Sequence, residues 1–198
     1  MTASTVRIKL LQAPTRDSWL PEVLANLETV LLDHSHCERK AASTALNFMF
    51  RYPSNESLIH QLTQIAQEEL THFAQVNQWL TRLGISLAPL NAPPYAAQLK
   101  SQIRRQEPWR FLDSLLISAL IEARSHERLG LLGHACPNPE LAKFYRSLMA
   151  SEARHYGIYW LLAIDAFDRE LVDQRLTELA SIEAQILETP FSEPRIHS

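Results

Sequence analysis

Two stretches of this chain set a carboxylate and an imidazole three residues apart: Glu69-Leu70-Thr71-His72 and Glu152-Ala153-Arg154-His155. At that spacing the two side chains stand one turn apart on one face of a helix. Each pair has a lone glutamate about thirty residues upstream, Glu38 before the first and Glu122 before the second. Four carboxylates and two imidazoles, in two copies of one helix-pair pattern, make the ligand set of a carboxylate-bridged two-metal site inside a four-helix bundle.

Single Glu-x-x-His matches are common, and most are solvated pairs on a helix surface. Here all six residues fall where a helix should be apolar. The same-face neighbours of Glu38 include Leu31, His34, Ala42 and Ala45, and those of Glu69 are Ile65, Ala66, Phe73 and Val76. Glu122 shares its face with Leu115, Ser118 and Ala119, and Glu152 shares its face with Tyr145, Leu148, Met149 and Tyr159. A buried charge is costly unless it is paired or metal-bound, so four such helices need one explanation. Carboxylate-rich donors with two imidazoles suit iron or manganese better than zinc or copper. Four carboxylates also neutralise two divalent ions. Two redox-active metals sharing carboxylates can pass two electrons to one dioxygen, which opens oxygen chemistry at a C–H bond in a site that excludes water.

The elements that hold these residues are predicted to be helices throughout. The 198 residues suit one domain with a real core, and 46% hydrophobic content with only four glycines suits an all-α chain. Residues 1–17 read as an extended lead-in. A first helix then runs from Pro21 through Phe48, and a second, capped near Asn55, runs to a stop at Gly84. Residues 85–107, with Pro89, Pro93 and Pro94, make a long connection, as a ferritin-like bundle needs for its single crossover between helices two and three. A third helix opens at Pro108 and reaches about Gly133. Asn138 and Pro139 start a fourth that ends near Phe167, and an additional C-terminal helix spans about 168–187. The fold class is thus all-α, a ferritin-like four-helix bundle in a single domain over 1–198. Its core bundle is about 20–167, and the proline-bearing tail 188–198 is loosely held.

Composition excludes several alternatives. No apolar run reaches the length of a membrane span, and Met1–Lys9 lacks a secretory core, so a cytoplasmic protein is expected. Two cysteines, Cys37 and Cys136, fit a reducing compartment and cannot build a four-cysteine iron centre. A net charge of −3 means that any nucleic acid must be met by a local basic patch.

Helical phase separates the remaining acids. Glu28, Glu68 and Glu127 lie off the ligand stripes and read as solvated or salt-bridged, and Cys37 reads as packing. His34 and His126 each stand one turn from a stripe glutamate. They are either neighbours of the ligands or ordinary hydrogen-bonded histidines.

Three segments carry a narrower likeness. Asp33-His34-Ser35-His36-Cys37-Glu38-Arg39-Lys40-Ala41-Ala42, Glu69-Leu70-Thr71-His72 and Ser151-Glu152-Ala153-Arg154-His155-Tyr156 resemble the tRNA 2-methylthio-isopentenyladenosine hydroxylase family (MiaE), a branch of the ferritin-like di-iron superfamily. The likeness covers roughly residues 20–165. It implies a non-haem di-iron monooxygenase that hydroxylates the isopentenyl group of the modified adenosine beside the anticodon. Dioxygen would be the co-substrate, with two electrons coming from a separate reductase. It also implies two iron ions held by Glu38, Glu69, His72, Glu122, Glu152 and His155, with Glu69 and Glu152 as bridges, in a monomer or homodimer. Arg39, Lys40, Lys100, Arg104, Arg105, Arg110, Arg124 and Arg128 are the basic residues available for tRNA phosphates, or alternatively a solvated face. Two rivals remain at this point. A ferroxidase or iron-handling protein predicts a large shell and iron turnover without a reductase. A metal-free helical interaction module predicts no iron and an indifferent Glu152→Ala.

Overall fold

A computed structural model describes residues 8–189 and 191–198. The first seven residues of the expected lead-in, most of the Met1–Lys9 stretch among them, lie outside the described residues, as does Pro190. The described residues form seven helices and no strand: α1 (Trp19–Leu24), α2 (Leu27–Arg51), α3 (Glu56–Arg82), α4 (Tyr95–Lys100), α5 (Trp109–Ala135), α6 (Pro139–Ala166) and α7 (Arg169–Glu188). None of them is long and apolar enough to cross a membrane. The chain divides into two compact units, one built on α2 and α3 and the other on α4 to α7.

In the first unit, α2 and α3 form an antiparallel pair. The expected single helix from Pro21 is interrupted: α1 ends at Leu24, and Asn26 takes a non-helical backbone before α2 begins. Its side-chain amide donates to the Glu22 carbonyl at 2.9 Å. That local bond competes with the helical ladder, which is why asparagine interrupts helices. The N-terminus of α3 is capped by the Asn55 side chain, which accepts the Leu58 N–H at 2.9 Å. At its other end Gly84 takes φ +71, the Gly84 N–H reaches Thr81 and the Ile85 N–H reaches Leu80. This is the left-handed glycine cap that terminates a helix by satisfying its last carbonyls. Leu58, Leu62, Ile65 and Val76 of α3 and Val30, Leu31 and Ala45 of α2 are buried, following the 3.6-residue period.

The tail is not loose, contrary to the reading of its prolines. In this unit the Arg195 guanidinium bonds to Glu193 at 2.5 Å and to the Asn91 carbonyl at 3.2 Å. The Ile196 N–H donates to Asp33 at 2.8 Å. Both residues are buried, because polar anchors remote in sequence hold a segment that has no helical period of its own.

The second unit pairs α5 with α6 and lays α4 and α7 alongside. Asn138 caps α6 by accepting the Glu140 and Leu141 N–H groups at 3.0 and 3.1 Å, with Pro139 in the first turn. Asp168 caps α7 in the same way. Helices α5 and α6 approach closely at Gly130 and Gly133: a Cβ at Gly133 would lie 2.7 Å from the Arg146 side chain and 3.2 Å from its backbone nitrogen. The crossover expected to be irregular contains α4. Its six residues are too few to display a period, yet Tyr95 and Leu99 are buried.

A buried polar cluster ties this unit together. Arg124 binds Glu183 through two parallel bonds and also reaches Glu127 and the Ala13 carbonyl. The Tyr95 hydroxyl donates to Glu183 at 2.9 Å. Arg128 lies 4.8 Å from the Trp19 ring centroid, and burial, then Arg124, pushes its guanidinium down to about 10. His197 stacks on Tyr95 at 5.0 Å and meets the Ser125 hydroxyl at 3.3 Å.

Candidate metal centre

Within the α2–α3 unit, Glu38, Glu69 and His72 converge. Glu69 and His72 project one turn apart from α3, Glu38 projects from α2, and all three are buried. One ligand atom from each lies within 4.8 Å of the others. His72 Nδ1 stands 3.7 Å from Glu38 Oε2 and 3.6 Å from Glu69 Oε2. Burial alone would push the imidazole down, but the two carboxylates outweigh it and raise His72 to about 10. Two buried carboxylates facing one imidazole demand positive charge between them, which a proton or a metal cation can supply.

His34 belongs to the same cluster. Its Nε2 meets Glu38 Oε1 at 2.5 Å, with both side chains buried. Burial would raise the Glu38 carboxyl, yet the facing His34, then His72, hold it well below the ordinary carboxylate range. The i, i+4 spacing was the sequence signal, and the bond settles His34 as a direct neighbour of Glu38.

Within the α5–α6 unit the pattern repeats. Glu122 on α5 and Glu152 and His155 on α6 are buried, and one ligand atom from each lies within 4.8 Å of the others. Tyr145, Leu148 and Tyr159 are buried along the face of α6 that carries Glu152 and His155. His126 makes a different contact from that of His34: its Nδ1 lies 2.8 Å from the Met149 carbonyl oxygen and its ring meets Tyr156 edge-on at 6.0 Å. Of the off-stripe acids, Glu127 is salt-bridged to Arg124.

Each unit therefore presents two carboxylates and one imidazole in an apolar core. This donor set fits an iron or manganese ion: hard oxygen donors dominate, imidazole completes them, and no thiolate takes part. The doubly negative triad also offsets most or all of the charge of a di- or trivalent cation, so burial does not forbid occupancy.

The basic residues separate by exposure. Arg39 and Lys40 are exposed on α2, as are Lys100, Arg104 and Arg105 in the other unit, where Arg110 is half-buried. Arg124 and Arg128 cannot contact phosphate as expected, because both guanidinium groups are buried in the cluster around Glu183, Glu127 and Trp19.

Comparison with known proteins gives a solved structure of 0.94 TM-score and 47% identity, covering 96% of each chain. Its title is "Protein 43 with aldehyde deformylating oxygenase activity from Synechococcus". That match bears out the all-α, ferritin-like class. A Pseudomonas putida protein named tRNA 2-(methylsulfanyl)-N(6)-isopentenyladenosine(37) hydroxylase is 40% identical over 95% of this chain and 91% of its own. A Salmonella typhimurium protein of the same name is 29% identical over 96% of this chain and 88% of its own. Residues 2–198 match the family described as tRNA-(MS[2]IO[6]A)-hydroxylase (MiaE), and with the match running over almost its whole length the chain belongs to that family.

Proposed function

We propose that this protein hydroxylates the isopentenyl group of 2-methylthio-isopentenyladenosine beside the anticodon of tRNA. One oxygen atom of dioxygen enters a C–H bond. The other leaves as water, with two electrons from a separate reductase and two protons. The observation that carries the oxygenase reading is the repeat: the same buried Glu, Glu, His triad in each helix pair. The substrate comes from the family.

In this reading Glu38, Glu69, His72, Glu122, Glu152 and His155 hold two iron ions, and residues 1–198 act as one domain. Bound iron would supply the redox chemistry that lets dioxygen react at an allylic C–H bond of the isopentenyl group. The chain supplies the rest. The carboxylates balance the charge, His34 fixes the orientation of Glu38, and Ile65, Ala66, Tyr145 and Leu148 keep water from the donors. The enzyme works in the cytoplasm, where its substrate is, as a monomer or homodimer.

A second reading rests on one observation: the solved structure that is 47% identical carries a title naming aldehyde deformylating oxygenase activity. The same triads would serve an aldehyde that loses its formyl group. One experiment separates the two. Ferrous-loaded protein, dioxygen and a reductant are supplied with tRNA carrying 2-methylthio-isopentenyladenosine in one arm and a fatty aldehyde in the other. Nucleoside mass spectrometry that finds the modified adenosine heavier by one oxygen supports the hydroxylase. An unchanged nucleoside with consumption of the aldehyde overturns it.

A further inference from the structure

The segment from Lys100 to Arg110 stands out in a chain of net charge −3: it carries Lys100, Arg104, Arg105 and Arg110 against the single acid Glu107. Next to these cations Trp109 is 37% exposed, so part of its ring edge is open to solvent beside the basic residues. The Arg104 guanidinium lies over that ring, 5.0 Å from its centroid. Phe167 packs against Trp109 at 6.4 Å and an interplanar angle of 27°.

Arg104 is also fixed from behind. Asp113 receives its Nε at 2.8 Å, its Nη2 at 2.7 Å and its backbone N–H at 2.9 Å. Asp113 has no exposure, while 40% of the Arg104 side chain is open to solvent. A guanidinium held flat in this way has already lost the rotamer freedom that binding would otherwise remove. Arg105 is exposed beside it, and among the described residues neither Arg105 nor Arg110 has an ion-pair partner.

We propose that this Arg104–Trp109 stack, flanked by Arg105 and Arg110, is the surface on which the protein docks the single-stranded loop of its RNA. Unpaired bases stack on aromatic rings and on arginine planes, and neighbouring cations take the phosphates. Trp109 opens α5 and Glu122 lies thirteen residues further along it, roughly 20 Å away at 1.5 Å per residue. The surface therefore grips nucleotides remote from the base that reacts. Binding energy gathered there can position the isopentenyl group. This assignment rests on the tRNA reading of the preceding subsection.

The test uses the full chain and a fluorescein-labelled anticodon stem–loop RNA, followed by anisotropy across a salt series. The Arg105→Glu/Arg110→Glu double variant spares the Asp113 ties. It should bind at least tenfold more weakly and lose about 1.5 from the slope of log K against log salt, since two phosphate contacts are removed. Trp109→Leu should weaken binding about tenfold or more, and Trp109→Phe should restore most of it. Circular dichroism melts establish that each variant is folded. If the double variant binds and hydroxylates tRNA as the wild type does, the surface assignment falls and the hydroxylase reading stands. If the variant binds RNA normally but accepts electrons poorly from a reductase, the patch is a protein-docking face and the assignment falls. If the wild type neither binds nor modifies tRNA, both fall together.

Discussion

Arg124 on α5 and Glu183 on α7 form a two-pronged ion pair, Nε to Oε1 at 2.8 Å and Nη2 to Oε2 at 2.9 Å, with neither side chain exposed. Tyr95 donates to the same carboxylate. Removing the carboxylate would leave a buried guanidinium short of its main counter-charge. Glu183→Ala should therefore lower stability by about 3–5 kcal/mol, which urea denaturation will measure. Replacing Arg124 and Glu183 together by methionine and leucine should recover much of that loss.

Asp113 makes the same unit sensitive to acid. Burial pushes its carboxyl up, but Arg104 and Arg175 outweigh burial and hold it below its ordinary 3.8. The folded state thus favours the ionised form. The stabilisation is fully present above pH 3.8 and is lost as pH falls through the lowered value. Asp113→Asn should be less stable than wild type by a constant amount near neutrality. The gap should narrow below about pH 4, as read from urea midpoints across the acid range.

On the di-iron reading proposed above, His34 should matter to metal affinity through its bond to Glu38. With its 2.5 Å bond to Glu38 lost, His34→Leu frees that carboxylate to rotate. Affinity for ferrous ion should fall roughly 10–100-fold, measured by competition with a coloured chelator. His34→Gln keeps a donor and should retain most of the affinity.

At Gly133 helices α5 and α6 lie close together. An alanine there would press on the Arg146 side chain at 2.7 Å and crowd its backbone nitrogen at 3.2 Å. Gly133→Ala should lower stability by about 1–3 kcal/mol in thermal denaturation. Gly157→Ala meets nothing within 4 Å among the described residues and should be neutral or slightly stabilising.

The convergence of Glu38 with Glu69 and His72, and of Glu122 with Glu152 and His155, could be read in advance because the four glutamates sit on apolar stripes, where burial makes a carboxylate conspicuous. Asn55, Pro139 and Gly84 likewise announced their helix ends through backbone chemistry that needs no tertiary partner. The failures have one source. Arg124 looks like any surface cation until Glu183, fifty-nine residues away, is folded against it. The break at Asn26 involves a side-chain bond to Glu22, and α4, with six residues, is shorter than the two turns needed to display a repeat. The tail looked free because its anchors, Asp33 and Asn91, lie far upstream.

That anchored tail separates irregular backbone from accessible backbone. Trypsin should spare the bond after Arg195, whose side chain is 1% exposed in a stretch without helix. It should instead cut first after Arg105, which is exposed in the connector before α5. A protease map of the native protein would then mark the link between α4 and α5 as open to solvent and the tail at Arg195 as shielded.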